Sequence, residues 1–215
     1  MLDVNKLYKD GFDTFILDKI YVKRLWNLVK KEEWVDVDQS DGNTIKSMPK
    51  WMESIDEDDY KSPKKYKRLF EDLILEKQYN GNLNSYYDLK VNEVQMWDGV
   101  EEEDNYHWDG NVNGDMFMLI YLSDFDEWDG KYGGGISCGV RDLINGKDWI
   151  DSNLDQEYIK VKEEEKTFYP DNGRIVFGNN LNPRQVHRPI PLTKEAKELG
   201  IKRITLLVTI NLEIK

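Results

Sequence analysis

The chain has 215 residues, 39% of them hydrophobic, with seven Trp and twelve Tyr. That is material for one sizeable core and excludes a mainly disordered chain. Thirty basic against 42 acidic side chains leave a net charge of −12, a field that disfavours general nucleic-acid binding and docking to anionic membranes, a local basic groove aside.

The opening MLDVNKLYKDGFD lacks the basic and apolar blocks of a signal peptide, and no later run approaches the ~20 apolar residues that span a bilayer. The single cysteine, Cys138, leaves no internal disulfide and fits a reducing compartment. The expectation is a cytoplasmic protein of one domain over 1–215, with a mixed, partly helical support region over 1–84 and a β core over 85–215.

From Leu17, the apolar residues Leu17, Ile20, Tyr21, Leu25, Leu28 and Val29 recur at helical spacing. A second helix is signposted by Ser62 as cap and Pro63 in the first turn, carries Tyr66, Leu69, Phe70, Leu73 and Ile74, and stops at Asn80-Gly81-Asn82. Between them, 35–61 reads as a long, acidic, irregular loop. After Ser85 the texture changes to strands: Tyr87, Leu89 and Val91 alternate with polar residues, 94–97 stays extended, and Asp98-Gly99 turns the chain. Residues 116–122 (MFMLIYL) are continuously apolar, as in a strand covered on both faces. Residues 133–140, 174–177 and 203–212 complete the strand candidates, and the pattern suggests a sandwich, jelly roll or barrel.

The chain has only two histidines. His107 and Asp109 stand two apart, so in an extended segment both face one side. His187, brought alongside by strand pairing, completes a two-His-one-carboxylate face that leaves three coordination positions open, as non-haem Fe(II) oxygenases require. On these residues alone, His107 as a turn residue and His187 as a satisfied strand-end histidine stay open.

The segment 106–135, YHWDGNVNGDMFMLIYLSDFDEWDGKYGGG, resembles the Fe(II)/2-oxoglutarate-dependent dioxygenases, in particular their prolyl 4-hydroxylase-like branch. The HxD is followed by a core strand ending in Tyr121-Leu122, an acidic-aromatic loop and the Gly133-Gly134 pair. Downstream, 170–177 (PDNGRIVF), His187-Arg188-Pro189-Ile190 and Arg203-Ile204-Thr205 resemble the family's Gly-Arg strand, distal histidine motif and basic cosubstrate motif, in the family's order.

The resemblance implies a mainly β fold with supporting α-helices, the double-stranded β-helix (a cupin-like jelly roll). It implies Fe(II) on His107, Asp109 and His187, with Arg203, Tyr121 and Thr205 holding the distal carboxylate of 2-oxoglutarate. O2 is consumed, ascorbate is an optional reductant, and a peptide or protein residue, prolyl by preference, is hydroxylated with release of succinate and CO2. The readings beside this are the same oxidation of a small molecule or nucleobase, and a non-catalytic metal-binding jelly roll. For Tyr121 a plain core role, and for Arg203 an ordinary strand-edge ion pair, stay open; the neighbouring Lys202 should face away.

Two departures from the family are visible. Met96-Trp97 stands where a Tyr is usual, and Phe117 stands where a small polar residue is usual. Trp97, Tyr106, Trp108, Trp128 and Tyr132 are expected around the mouth, and the 34–59 loop and the 143–166 insertion are candidate substrate clamps. Gly133-Gly134-Gly135 is no phosphate loop, because a strand follows.

Overall fold

The computed structural model describes residues 11–38, 45–52, 63–71, 87–99, 106–108, 114–140, 166–182 and 185–214. In chain order these form β1 (Phe12–Ile16), α1 (Lys19–Val29), β2 (Trp34–Asp38), β3 (Ile45–Pro49), α2 (Lys64–Phe70), β4 (Tyr87–Gly99), β5 (Met116–Ser123), β6 (Ile136–Val140), β7 (Lys166–Phe168), β8 (Arg174–Asn179), β9 (Gln185–Pro189), α3 (Lys194–Glu198) and β10 (Arg203–Ile214). They make a seven-stranded sheet, β1-β8-β5-β10-β4-β3-β2, and a three-stranded sheet, β7-β6-β9, whose described pairings are all antiparallel. The fold is a double-stranded β-helix.

Strand β5 explains the architecture. All eight of its residues are buried, because successive side chains feed two different cores. Met116, Met118, Ile120 and Leu122 join the larger core with Leu17, Val22, Leu25 and Val29 of the α1 region and Tyr66 and Phe70 of α2. Phe117, Leu119 and Tyr121 face the other way, into the core between the sheets, with Phe12, Ile136, Cys138 and Val176. The same alternation divides β10: Ile204, Leu206, Val208 and Ile210 serve the helix-covered core, and Leu207 packs against the inner one.

Helix α1 starts where Asp18 accepts the Ile20 amide at 2.8 Å, a side-chain cap. Its buried stripe is Val22, Leu25 and Val29. Ile20, expected on that stripe, is instead 64% exposed, since it lies two residues from Val22 and so well around the helix. Helix α2 begins at Lys64, with Pro63 at the cap position rather than inside the first turn; Ser62 and the expected end at Asn80-Gly81-Asn82 lie outside the described residues.

Where 35–61 is described it is not the irregular loop expected; 39–44 and 53–61 lie outside the described residues. Strands β2 and β3 pair there from Trp34↔Pro49 to Asp38↔Ile45 and extend the large sheet beside β4. The cause is the period-two pattern Trp34, Val35, Asp36, Val37, Asp38, which the acidic composition hides. Strand β4 runs unbroken through an irregularity in its pairing with β10, where Thr209 faces Glu93 but Ile210 faces Val91. The extra residue is a bulge, and it lets Val91 and then Val94 and Met96 all be buried although their parity differs.

Gly178 in β8 has no room for a side chain. A Cβ there would come within 2.1 Å of the Phe117 ring, which lies over it from the opposite register position. Gly178→Ala is expected to lose about 1–3 kcal/mol in urea denaturation, and adding Phe117→Leu to restore most of the loss. Simple additivity of the two would contradict this packing.

Candidate active site

His187 sits on β9 opposite Cys138 of β6. On its other side it bridges His107 antiparallel: each residue donates its amide to the other's carbonyl at 2.9 Å. Residues exchanging both bonds stand directly opposite, with side chains on one face. The two imidazoles therefore lie side by side, ring centroids 4.6 Å apart and planes at 62°.

The neighbours of His107 fix its orientation. Tyr106 and Trp108 point to the opposite face, as alternation requires. The Tyr106 hydroxyl shares a 2.8 Å hydrogen bond with Ser137 on β6, and the Arg188 guanidinium stacks over its ring at 4.8 Å. The Trp108 indole donates to the Asn180 carbonyl at 2.9 Å. These two therefore anchor the segment rather than line a shared mouth with Trp128 and Tyr132. The Trp97 side chain, like Asp109, lies outside the described residues. Among the described residues no third His, Cys, Asp or Glu joins the two imidazoles.

His187 is 8% exposed and leans on two aromatic rings, Phe117 at 4.9 Å and Phe12 edge-on at 6.5 Å. Neither neighbour was singled out from sequence as a partner of the histidine; the signal available was Phe117 itself, an oversized residue on a strand that must face inward at every second position. Cys138, across the ladder from His187, is fully buried, and burial pushes its thiol well above the ordinary range.

The other end of the same inner surface holds Arg203. Its side chain is 2% exposed, donates to the Thr205 hydroxyl at 2.9 Å and stacks over the Tyr121 ring at 5.7 Å. Thr205 and Tyr121 are register partners across β10 and β5, so the three predicted residues form one cluster. Lys202 is exposed, facing away as expected, and Arg203 lies in the interior.

The glycines beside this cluster are dictated by contact. Gly133, at φ +66°, would drive a Cβ into the Pro191 carbonyl at 2.2 Å, and Gly134 would press one against Leu192 at 2.7 Å and, more loosely, against Arg203 and Trp128. Trp128 donates its indole N–H to the Gly133 carbonyl at 2.9 Å and packs with Leu192 and Ala196 of α3. It closes the arginine end from outside, with Phe125 and Tyr132 against it. Strand β6 follows directly, so the glycine run is a packing device.

No family model and no curated protein matches the chain by sequence. Among solved structures it is similar to the non-haem α-ketoglutarate-dependent epimerase SnoN of nogalamycin biosynthesis (12% identity, TM-score 0.53, 95% of this chain and 80% of that one). It is similar also to HygX of Streptomyces hygroscopicus with nickel and 2-oxoglutarate bound (11%, 0.50, 97% and 87%). A Pseudomonas putida prolyl-4-hydroxylase matches at 12% and 0.49, over 96% and 95%. At these identities the likeness to SnoN and HygX shows the jelly-roll fold alone.

Two expectations follow from the site's packing. Tyr106→Phe, which strips one partner from a buried hydroxyl pair, is expected to cost about 1–2 kcal/mol in urea denaturation. A thiol reagent at pH 8 is expected to leave Cys138 unmodified in the folded protein and to titrate it fully in urea; rapid native labelling would contradict its burial.

Proposed function

We propose that the protein is an Fe(II)- and 2-oxoglutarate-dependent dioxygenase, with His107, Asp109 and His187 as the metal ligands and Arg203, Tyr121 and Thr205 as the cosubstrate anchor. The observation that carries this is the pairing of the chain's two histidines, rings 4.6 Å apart, on an interior whose far end holds a buried arginine. Two imidazoles and a carboxylate suit a divalent first-row metal, and Asp109, two residues beyond His107, would share its face in an extended segment.

Bound iron with the 2-oxo acid supplies oxygen activation, with succinate and CO2 as products. The chain's own residues bind and orient. The Arg203 guanidinium offers a planar, charge-assisted grip to the distal carboxylate. The Tyr121 ring backs that guanidinium, and Thr205, whose oxygen accepts from Arg203, keeps its own hydroxyl proton to donate. The apolar floor of Leu119 and Val176 excludes water and strengthens each polar contact.

For the substrate, the motif resemblance favours a peptide or protein residue, prolyl first. The acidic surface suits a basic target segment. Oxidation of a small molecule is the second reading, favoured by the likeness to the epimerase SnoN from nogalamycin biosynthesis.

Anaerobic titration of Fe(II) and 2-oxoglutarate tests the class. A saturable visible charge-transfer band is expected, absent in His187→Ala and needing about 10–100-fold more 2-oxoglutarate in Arg203→Ala. Iron binding with no band would overturn the cosubstrate assignment and favour a non-catalytic metal-binding module. Succinate release stimulated by small molecules but by no proline-containing peptide would overturn the peptide reading.

A further inference from the structure

The inner face of β10 carries one fully buried polar group that the anchor and the proposed metal ligands do not use. Thr209 is 3% exposed, and its hydroxyl is buried with no hydrogen-bond partner among the described residues. Leaving such a group unmet costs about 1–3 kcal/mol, and a valine of nearly the same shape would avoid the cost. An orphaned hydroxyl in a packed interior marks a place where a ligand brings the missing partner.

Its position says which ligand. Alternation along β10 puts Thr209 on the face of Arg203, Thr205 and Leu207, and its register partner on β5 is Phe117, whose ring lies 4.9 Å from that of His187. The bulge beside Thr209 has its extra residue in β4, so β10 keeps its regular alternation and its pairing with β5 there. Gly114 roofs the residue, so close that a Cβ there would come within 3.3 Å of the Thr209 Cβ.

The strip between the two ends matches a diacid in polarity and length. At one end are Arg203, Thr205 and Tyr121; in the middle Leu207 stands directly opposite Leu119; at the other end Thr209 stands opposite Phe117, beside the histidines. Thr205 and Thr209 are four residues apart, about 14 Å along an antiparallel strand. That accommodates a five-carbon diacid with a hydrogen bond at each end and its methylenes over the leucine pair.

We propose that the Thr209 hydroxyl is a ligand-binding group that donates a hydrogen bond to the C1 carboxylate of the 2-oxo acid, beside the paired histidines. This rests on the cosubstrate reading above and adds a contact at the end opposite Arg203. It makes Thr209 a determinant of selectivity for a 2-oxo diacid over acids that lack the C1 carboxylate.

The test is calorimetric titration of 2-oxoglutarate into the full chain loaded with Ni(II), with no turnover required. Thr209→Val is expected to weaken binding about tenfold or more and Thr209→Ser to stay within about threefold of wild type. The preference for 2-oxoglutarate over 4-oxopentanoate, which keeps the keto group and distal carboxylate alone, should shrink in Thr209→Val. Ligand-free Thr209→Val should melt at or above the wild-type temperature, because it removes an unmet polar group.

Unchanged affinity in Thr209→Val, with Arg203→Ala still defective, overturns this proposal and leaves the cosubstrate reading standing. A lowered melting temperature in Thr209→Val assigns the hydroxyl a structural role and also overturns it. Failure of the wild type to bind 2-oxoglutarate overturns both.

Discussion

The site depends on two backbone hydrogen bonds. His107 and His187 are eighty residues apart in sequence, and what places their imidazoles together is the reciprocal amide–carbonyl pair between them. A one-residue slip in that pairing would turn one ring to the far side of the sheet. The register is held from both flanks: Tyr106 is tied to Ser137 on the strand next to His187, and Trp108 to the Asn180 carbonyl just beyond β8. Ring contacts with Phe117 and Phe12 then limit how far His187 can swing.

The same period of two decides where the polar groups go. Strands β5 and β10 each lie between a helix-covered core and the space between the sheets, so every residue is buried on one side or the other. On β5 both faces are apolar or aromatic as far as Leu122. On β10 the outer face is wholly aliphatic, Ile204, Leu206, Val208 and Ile210, while the inner one carries Arg203, Thr205 and Thr209, all nearly inaccessible. Polar groups that the hydrophobic core has no use for are confined to the one face that looks toward the histidines. Only Arg203 and Thr205 among them satisfy each other, through the 2.9 Å bond between guanidinium and hydroxyl.

Much of this was legible in the sequence because it lies in strands with strong patterns. MFMLIYL announces a doubly covered strand, the alternating run from Tyr87 and the long RITLLVTINL segment announce β4 and β10, and the order of HxD, Gly-Gly, Gly-Arg, distal His and Arg-x-Thr brings Arg203, Thr205 and Tyr121 together. What escaped was non-local. The β2–β3 hairpin was hidden because Asp at every second position lowers hydrophobicity without breaking the alternation. The partnership of Phe117 with Gly178 needs the β5–β8 register, and Gly178 alone reads as a weak point in a strand. Thr209 is one threonine among many until the β5 pairing sets it opposite Phe117.

Strand geometry also makes ligand length a discrete variable. Along β10 a group can be moved by one residue only by sending it to the other core, so the inner face accepts changes in steps of two residues, about 7 Å. The separation between the Arg203 cluster and the histidine end is therefore fixed to within one such step by the ladder, whatever the surrounding loops do. A cosubstrate shorter by one carbon falls well within a step, and no shift of register could restore both of its end contacts. The arginine, with its long flexible stem, is the one element able to absorb that remainder, which fits its place at the end away from the histidines. The rigid end, two histidines locked by backbone bonds and a threonine held between two strand partners, is where geometry must be held. The adjustable end is where charge suffices.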